Sequence, residues 1–449
     1  MSDSTLTADA VGVFTRDQAE ILSVRKTEPA WLREQRLAAQ QHFAETPLPS
    51  TRAEDWRYTP IAELLSLEAL RFADEASPVP ADALPYDLHA SLEVGRAAPG
   101  RLVQLDASVV LHELDEGLRA QGVILTSLDQ ALREHGELVR KYLGTALPYG
   151  EGKFEALNAA FWSGGAFLYV PANVRVEGTL RLYRWLSAAG TASFGRLLVV
   201  AGENAQLSLA SEVASDDLAA QTLASSATEV FAEEGARVNF VRVQRWGRGV
   251  VNLATDRVVA GRDARVTTLN LALGADVVRA DLRCALAKPG AHVDMLGLYL
   301  ADGTQHFDHE TLQDHIAPHA SSNLLFKGAL RERGRSVFRG LIRVHQGAQR
   351  TDAYQTNRNL ILSSEARADS LPNLEIGADD VRCSHAATVG QLDEEEIFYL
   401  LSRGIPLAEA TRLVVFGFFG EVLSQLPDEL ADVHRELTRA VEAKLFARR

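Results

Sequence analysis

A short phrase recurs through the middle of this chain: a turn, then a small Ala, then a strand in which alternate residues are apolar. It appears as Gly202-Glu-Asn-Ala205-Gln-Leu-Ser-Leu209, Gly235-Ala236-Arg-Val-Asn-Phe240, Gly261-Arg-Asp-Ala264-Arg-Val-Thr267 and Gly290-Ala291-His-Val-Asp-Met295. The anchors Ala205, Ala236, Ala264 and Ala291 lie 31, 28 and 27 residues apart, and after about two more such units Gly347-Ala348 returns in the same style. A fixed period of about 20 to 50 residues marks a solenoid, and here the content of each unit is strand. Each coil is expected to seat its Ala at a tight corner and turn the following alternate residues inward. Leu207 and Leu209, Val238 and Phe240, and Val293 and Met295 would then stack into one core. A parallel β-helix fits this pattern best. A β-sandwich competes, because its short strands also alternate, but its turns come every ~8 to 12 residues without a longer echo.

The repeat sits between two other textures. Residues 1–153 read as a helical and small α/β region. In it, Ile21, Leu22, Trp31, Leu32, Leu37 and Phe43 recur among charges until Pro47 and Pro49. Pro78, Pro80 and Pro85 suit a linker, and Arg101 to Leu143 mixes a strand at Leu102 to Leu105 with a helix around Leu128 to Leu143. Residues 154–392 form the expected β-helix core, and residues 393–449 a helical domain. There Asp393 can cap a helix Glu394 to Arg403, Gly404 ends it, Pro406 starts a second through about Leu426, and Pro427 opens a third. Leu413, Val414, Val415, Phe416, Phe418 and Phe419 nearly encircle the middle helix, which places it in a core or against a partner.

Charge and motifs exclude several functions. Forty-six Lys and Arg against 60 Asp and Glu leave a net charge of −14, which argues against binding nucleic acid or anionic lipid. Met1 to Asp17 holds acids and hydroxyls where a signal peptide needs a basic region and an apolar run. The longest apolar run near the C-terminus, Leu413 to Phe419, is far short of the roughly 20 residues that span a bilayer. Cys284 and Cys383 are too few for a disulfide framework, so a cytoplasmic protein is expected. Gly150-Glu-Gly152-Lys153-Phe154 has the wrong spacing for a phosphate loop, and no strand-bounded GxGxxG, HExxH or GxSxG is present. Any nucleotide dependence must come from a partner.

Two segments carry candidate ligands. His306, His309, His315 and His319, interleaved with Asp308, Glu310 and Asp314, are suitable types for zinc or iron. The other reading is a polar coil whose histidines bond nearby backbone. Cys383 and His385 are two apart and emerge on one face of a strand, which makes half of a metal site. A buried Cys beside a hydrogen-bonded His is the alternative. A nucleophilic Cys383 lacks an identifiable third group, and Asp379 and Asp380 would raise its pKa if close. Cys284 reads as a small core residue. Arg331, Arg333, Arg335, Arg339 and Arg343 would share one strand face, either as an exposed charged surface or as a site for an acidic polysaccharide.

Several runs also match something known. These are Asn357-Arg-Asn-Leu360-Ile-Leu-Ser, Pro372-Asn-Leu-Glu375-Ile, Asp379-Asp-Val-Arg-Cys383-Ser-His385-Ala-Ala-Thr-Val-Gly390 and Phe398-Tyr-Leu-Leu-Ser-Arg403-Gly404-Ile. With Glu28-Pro-Ala-Trp31-Leu and Arg52-Ala-Glu-Asp-Trp56-Arg-Tyr58-Thr59, the chain resembles the SufD members of the SufB/SufD family, part of the SUF iron–sulfur cluster assembly machinery. The resemblance implies a right-handed parallel β-helix flanked by helical domains, in a scaffold rather than an enzyme. It implies a complex with the paralogue SufB through the β-helix and with the ATPase SufC, docked at Asp393 to Leu426. His385, with Cys383 as helper, would lie at the SufB interface, where an iron–sulfur cluster is transiently built; none is expected on the isolated chain, which can form a homodimer. The family commonly has Gly where Ala386 stands. Two other readings are a purely structural partner of SufB without cluster ligands and a stand-alone metal-binding β-helix enzyme using the 306–319 histidines.

Overall fold

From Gly164 to Gln391 the backbone alternates between two sheets, giving one strand to each per coil. Strand Gln206–Ser215 bonds in parallel to Arg237–Arg245, and Thr222–Ala232, which lies between them in sequence, bonds to Val250–Ala260 in the other sheet. Each strand therefore pairs with the strand one coil away rather than with its chain neighbour, which is the pairing of a solenoid and not of a sandwich. The computed structural model describes residues 12–73 and 85–446 and shows a parallel β-solenoid of about eight turns with helical regions on both sides. Pro78 and Pro80, and the first residues of the chain, lie outside the described residues.

The corners explain the sequence period. Asn173, Asn204, Gly235, Asp263, Gly290, His319 and Arg350 each precede a corner residue, and all are left-handed, with φ between 53° and 76°. Gly, Asn and Asp enter that region at least cost, which is why they punctuate the repeat. Ala205, Ala236, Ala264 and Ala291 follow them, fully buried. The carbonyls of these residues accept from Arg237, Arg265, His292 and Ser321, the first strand residues of the following coils. Two corners depart from the expectation. Ala320 belongs to the series, its carbonyl accepting from Asp352, but His319 precedes it in place of Gly. Gly347-Ala348 does not belong: Thr351 holds that corner and accepts from Arg382, while Ala348 lies earlier in the turn and accepts from the Thr351 hydroxyl at 2.9 Å.

Leu207, Leu209, Val238, Phe240, Val293 and Met295 all point into the core between the sheets, as their alternation predicts. The outer faces are also covered. Against one sheet lie helices Ala30–Glu45 and Lys153–Phe161, with Phe14, Phe43, Phe161 and Phe194 in edge and tilted ring contacts. The sequence motifs at 28–32 and 52–59 fasten this layer. Arg36, wholly buried, bonds Glu28 and the carbonyl of Ala160 at 2.7 Å, and its guanidinium lies 5.0 Å from the Trp162 ring centre. Trp56 takes Arg279 over its ring at 4.8 Å, and Asp55 pairs with Arg339 at 3.1 Å.

Against the other sheet lie helices Leu407–Leu423 and Ala431–Phe446, through Val415, Phe419, Val422, Leu437 and Val441. Asp393 caps the preceding helix Glu394–Ser402 by accepting from the Glu395 and Glu396 amides, and Gly404 follows it at φ 80°, as expected. The strand at Leu102–Leu105 extends the solenoid: Gly100–Leu105 pairs in parallel with Arg175–Leu186.

Gly290 tests the corner rule, since a Cβ there would run into the Asp263 carboxylate as well as carry the left-handed strain. Gly290→Ala is expected to lower the unfolding free energy by about 1–2 kcal/mol, read as a lower urea midpoint at unchanged slope. An unchanged midpoint would show that the corner tolerates a side chain.

Candidate functional site

The two ends of the solenoid are built differently. At the first end, Ser108–Leu114 runs antiparallel to Gly100–Leu105 and Ile124–Ser127 runs antiparallel to Gly164–Val170, so short antiparallel strands are the outermost of both sheets. At the last end, Arg367–Ile376 pairs with Arg335–Val344 and Arg382–Gln391 pairs with Asp352–Ile361, and among the described residues no strand lies beyond them. Each terminal strand thus presents a row of unpaired backbone N–H and C=O groups, a template for another chain. Leu374, Ile376 and Val389 are 37%, 42% and 49% exposed there, where earlier coils bury such residues.

Cys383 and His385 lie on this last strand. They register with Ala353 and Gln355, both buried, so they continue the solenoid's inward column to its open end, on one face as their spacing predicts. Cys383 is half-buried and packs with the cluster of Ile342, Val344, Ala348, Ala353 and Ala378. Burial, and then the Asp352 carboxylate, push its thiol up, against a backbone hydrogen bond from Ala353 that favours the thiolate. Asp352, and not Asp379 or Asp380, is the acid that acts on it. His385 is exposed. Gln355 beneath it donates to the Gly340 and Asn373 carbonyls at 3.3 Å, tying the sheets together behind the edge.

Among the described residues no three His, Cys, Asp or Glu side chains converge as metal ligands. Cys383 and His385 therefore offer a pair, two of the four ligands that a four-coordinate metal or cluster iron takes.

The histidine segment is divided by its strand, His306–His315. His306 points outward, bonds Thr59 at 2.8 Å and so helps hold the N-terminal layer. His309 points inward, stacked on Tyr299 at 4.8 Å, and His315 bonds the Ser322 hydroxyl at 2.7 Å inside the core. His319 forms a left-handed corner. His306 is thus on the opposite face from His309 and His315, and the bonds of His306 and His315 go to the side chains of Thr59 and Ser322 rather than to backbone. Cys284 is buried in the core, and burial first, then Asp256, push its thiol up. Arg335, Arg339 and Arg343 share an outward face and pair with Asp369, Asp55 and Glu375, whereas Arg331 and Arg333 lie in the preceding turn.

Two features escaped the sequence reading. The inward column above the open end is polar, with Gln355, Asn357 and Asn359 buried in alternation, a period-two signal readable as amides on a core face. Beside the open end, Phe398, Tyr399, Leu401 and Leu407 are 72%, 56%, 41% and 59% exposed. Phe398, Leu401 and Leu407 line one surface depression, an apolar patch of the kind that marks a protein interface. Val415 and Phe419 of the middle helix are buried against the solenoid, while Leu413 is 40% exposed. No helix of the described residues is long and apolar enough to cross a membrane.

Comparison with known proteins adds to this geometry. A family model described as the SufBD core domain of the SUF system for FeS cluster assembly matches residues 184–418, and one for the SufBD protein N-terminal region matches residues 12–182. The chain is 29% identical over 428 residues to the iron-sulfur cluster assembly protein SufB of Bacillus subtilis (strain 168), covering 93% of this chain and 90% of that protein. It is 29% identical over 433 residues to an iron-sulfur cluster assembly SufBD family protein of Staphylococcus saprophyticus, again covering 93% and 90%. A SufBD family protein of Staphylococcus aureus (strain USA300) is 28% identical over 444 residues, covering 94% and 93%.

The shifted groups yield two expected outcomes. Alkylation of Cys383 by iodoacetamide in the isolated chain at pH 8 should be slower than that of free cysteine and should speed up in Asp352→Asn, with Cys284 unmodified. Equal rates in both chains would remove Asp352 as a cause. Burial holds His309 and His315 down to about 4, against 6.5 when unfolded. The unfolded chain binds more protons between those values, so stability is full above about pH 6.5 and is lost as pH falls toward 4. Urea midpoints across that range should fall with pH, less steeply in His309→Phe.

Proposed function

This chain belongs to the SufBD family of iron–sulfur cluster assembly proteins, and we propose that it is a SufD-type scaffold subunit whose open solenoid end pairs with a SufB-type paralogue. The observation that carries this reading is the uncovered pair of edge strands with Cys383 and His385 at their end. An exposed edge of parallel strands is complementary to another solenoid of the same pitch. The Cys-Ser-His-Ala-Ala-Thr-Val-Gly run, from Cys383 to Gly390, favours the SufD-type assignment.

In this reading the nascent cluster is cargo, held transiently between the two chains, and neither chain alone completes its ligand set. Cys383 and His385 offer one thiol and one imidazole from this side, and the partner supplies the rest. His385 is the better-placed ligand, because it is exposed while the Cys383 thiol is partly covered and must lose a proton held by burial. The apolar patch of Phe398, Leu401 and Leu407 supports docking of the SufC ATPase on the helices that follow. ATP hydrolysis would come from that partner, in the cytoplasm. Closure of the ATPase subunits would pull these helices and open the interface to expose His385.

Cluster loading after anaerobic co-expression with SufB and SufC is the test, comparing the native chain with His385→Ala by absorption and by iron and sulfide content. Loss of loading by tenfold or more in an intact complex is the expected result. Full loading in the variant would assign this chain a structural role and leave the chemistry on its paralogue.

A further inference from the structure

Two arginines face the inside of the solenoid. On strand Arg175–Leu186 the inward column runs Leu180, Leu182, Arg184, Leu186, and on Arg237–Arg245 it runs Val238, Phe240, Arg242, Gln244. Arg184 is 9% exposed and Arg242 5%, and both line a cavity of about 50 Å³ together with Gln104, Ser211, Ser226 and Thr228. The backbone makes room for this charge: a Cβ on Gly195, also on the cavity wall, would lie 2.6 Å from Arg184 Nη1.

The charges inside do not balance. Arg242 lies 3.0 Å from Asp256 and donates to the Ser226 hydroxyl at 3.0 Å and to that of Thr228, while its Nε has no partner. Arg184 donates to the Ser193 hydroxyl at 2.7 Å and to the Ser225 carbonyl at 3.4 Å, both neutral. Among the described residues it has no carboxylate within ion-pair distance. Asp106 attracts it from further away, with its oxygens already accepting from the Ser187 amide and hydroxyl. Burial, and then Arg242, push the Arg184 guanidinium down to about 10, so it stays charged at neutral pH. Two cations and one anion therefore share an interior that favours neither unpaired.

We propose that this cavity binds one small monovalent inorganic anion, of the size of chloride, between Arg184 and Arg242. Charge selects the ligand, since one negative charge balances Arg184 while Asp256 balances Arg242. Size limits it: about 50 Å³ is a few times the roughly 10–15 Å³ that one water-sized occupant needs, room for a halide or an anion of a few heavy atoms at most. The hydroxyls of Ser211, Ser226 and Thr228 supply further donors on the wall. The site lies where the N-terminal strand Gly100–Leu105 joins the first coils, so the anion would lock that junction. It is separate from the open end and does not depend on the SUF assignment.

The full chain, purified and crystallised with sodium bromide in place of chloride, locates the ion by anomalous diffraction. Melting at constant ionic strength, with chloride replacing glutamate, reads its binding in solution. The expected results are an anomalous peak in the cavity touching both guanidiniums and a saturating rise in the melting midpoint of about 2 °C or more. Both should be absent in Arg184→Gln. Ordered water in the cavity without a bromide peak would overturn the proposal, as would a chloride response that Arg184→Gln retains. If that variant does not fold, the native anomalous map decides alone.

Discussion

Backbone hydrogen bonding from coil to coil is the interaction on which the rest of this molecule depends. In a solenoid each strand is satisfied by the strand one turn away, so a coil has half of its partners above it and half below. The scheme is self-sufficient everywhere except at its ends, where one row of donors and acceptors must be met by something that is not a further coil. The chain finishes one end with the short antiparallel strands Ser108–Leu114 and Ile124–Ser127, and the other with the longer parallel strands Arg367–Ile376 and Arg382–Gln391; a short edge is the less inviting template.

Apolar burial and buried charge divide the remaining work. The inward Leu, Val and Ala columns and the ring cluster around Phe14 and Phe161 supply the burial that a long rod needs on both faces of its sheets. Under the N-terminal layer, by contrast, ion pairs such as Arg279 with Asp308 at 2.7 Å and Arg257 with Asp281 at 3.1 Å are taken almost wholly out of water. Pairs of that kind add little stability over an apolar pair of the same shape. Misplacing one partner, however, strands a buried charge, so they allow this layer one seat on the sheet. The 52–59 segment, through Asp55, Trp56 and Thr59, uses them as its docking address.

The solenoid was legible in the sequence because its two periods survive in the residues: two within each strand, and 27 to 31 between corners. Where both signals fell on Gly, Asn or Asp followed by Ala, the register was readable, as at Ala205 and Ala291. It failed where the left-handed position is filled by His319 or Arg350, residues whose identity does not announce that conformation. The pairing of Cys383 with His385 on one face followed from spacing alone, but the open edge that gives the pair meaning is a property of where the stack ends. The histidine run was readable on the same ground of spacing. Three residues apart on a strand, His306 and His309 are expected to point apart, and the pleat does send them to opposite faces. Arg184 was readable in principle, as a charge on an otherwise apolar alternation, had the strand phase been fixed first.

The open edge and the exposed helix beside it are mechanically one object. Helix Glu394–Ser402 begins directly after strand Arg382–Gln391, with Leu392 and Asp393 between them, and Asp393 is already committed as its cap. The next helix, by contrast, is anchored to the solenoid through Val415 and Phe419 and by Lys327, which donates to the Phe418 carbonyl at 2.7 Å and pairs with Glu421. A load applied at Phe398 or Tyr399 is therefore divided unequally. On one side it meets a helix held by buried apolar contacts; on the other it meets a strand paired along a single edge. The weaker attachment is the strand bearing Cys383 and His385, and its backbone bonds to Asp352–Ile361 are the first that such a load would strain. A partner seated on the apolar patch thus needs no long pathway through the core to influence the edge, because the linker between them is two residues of a capped helix start.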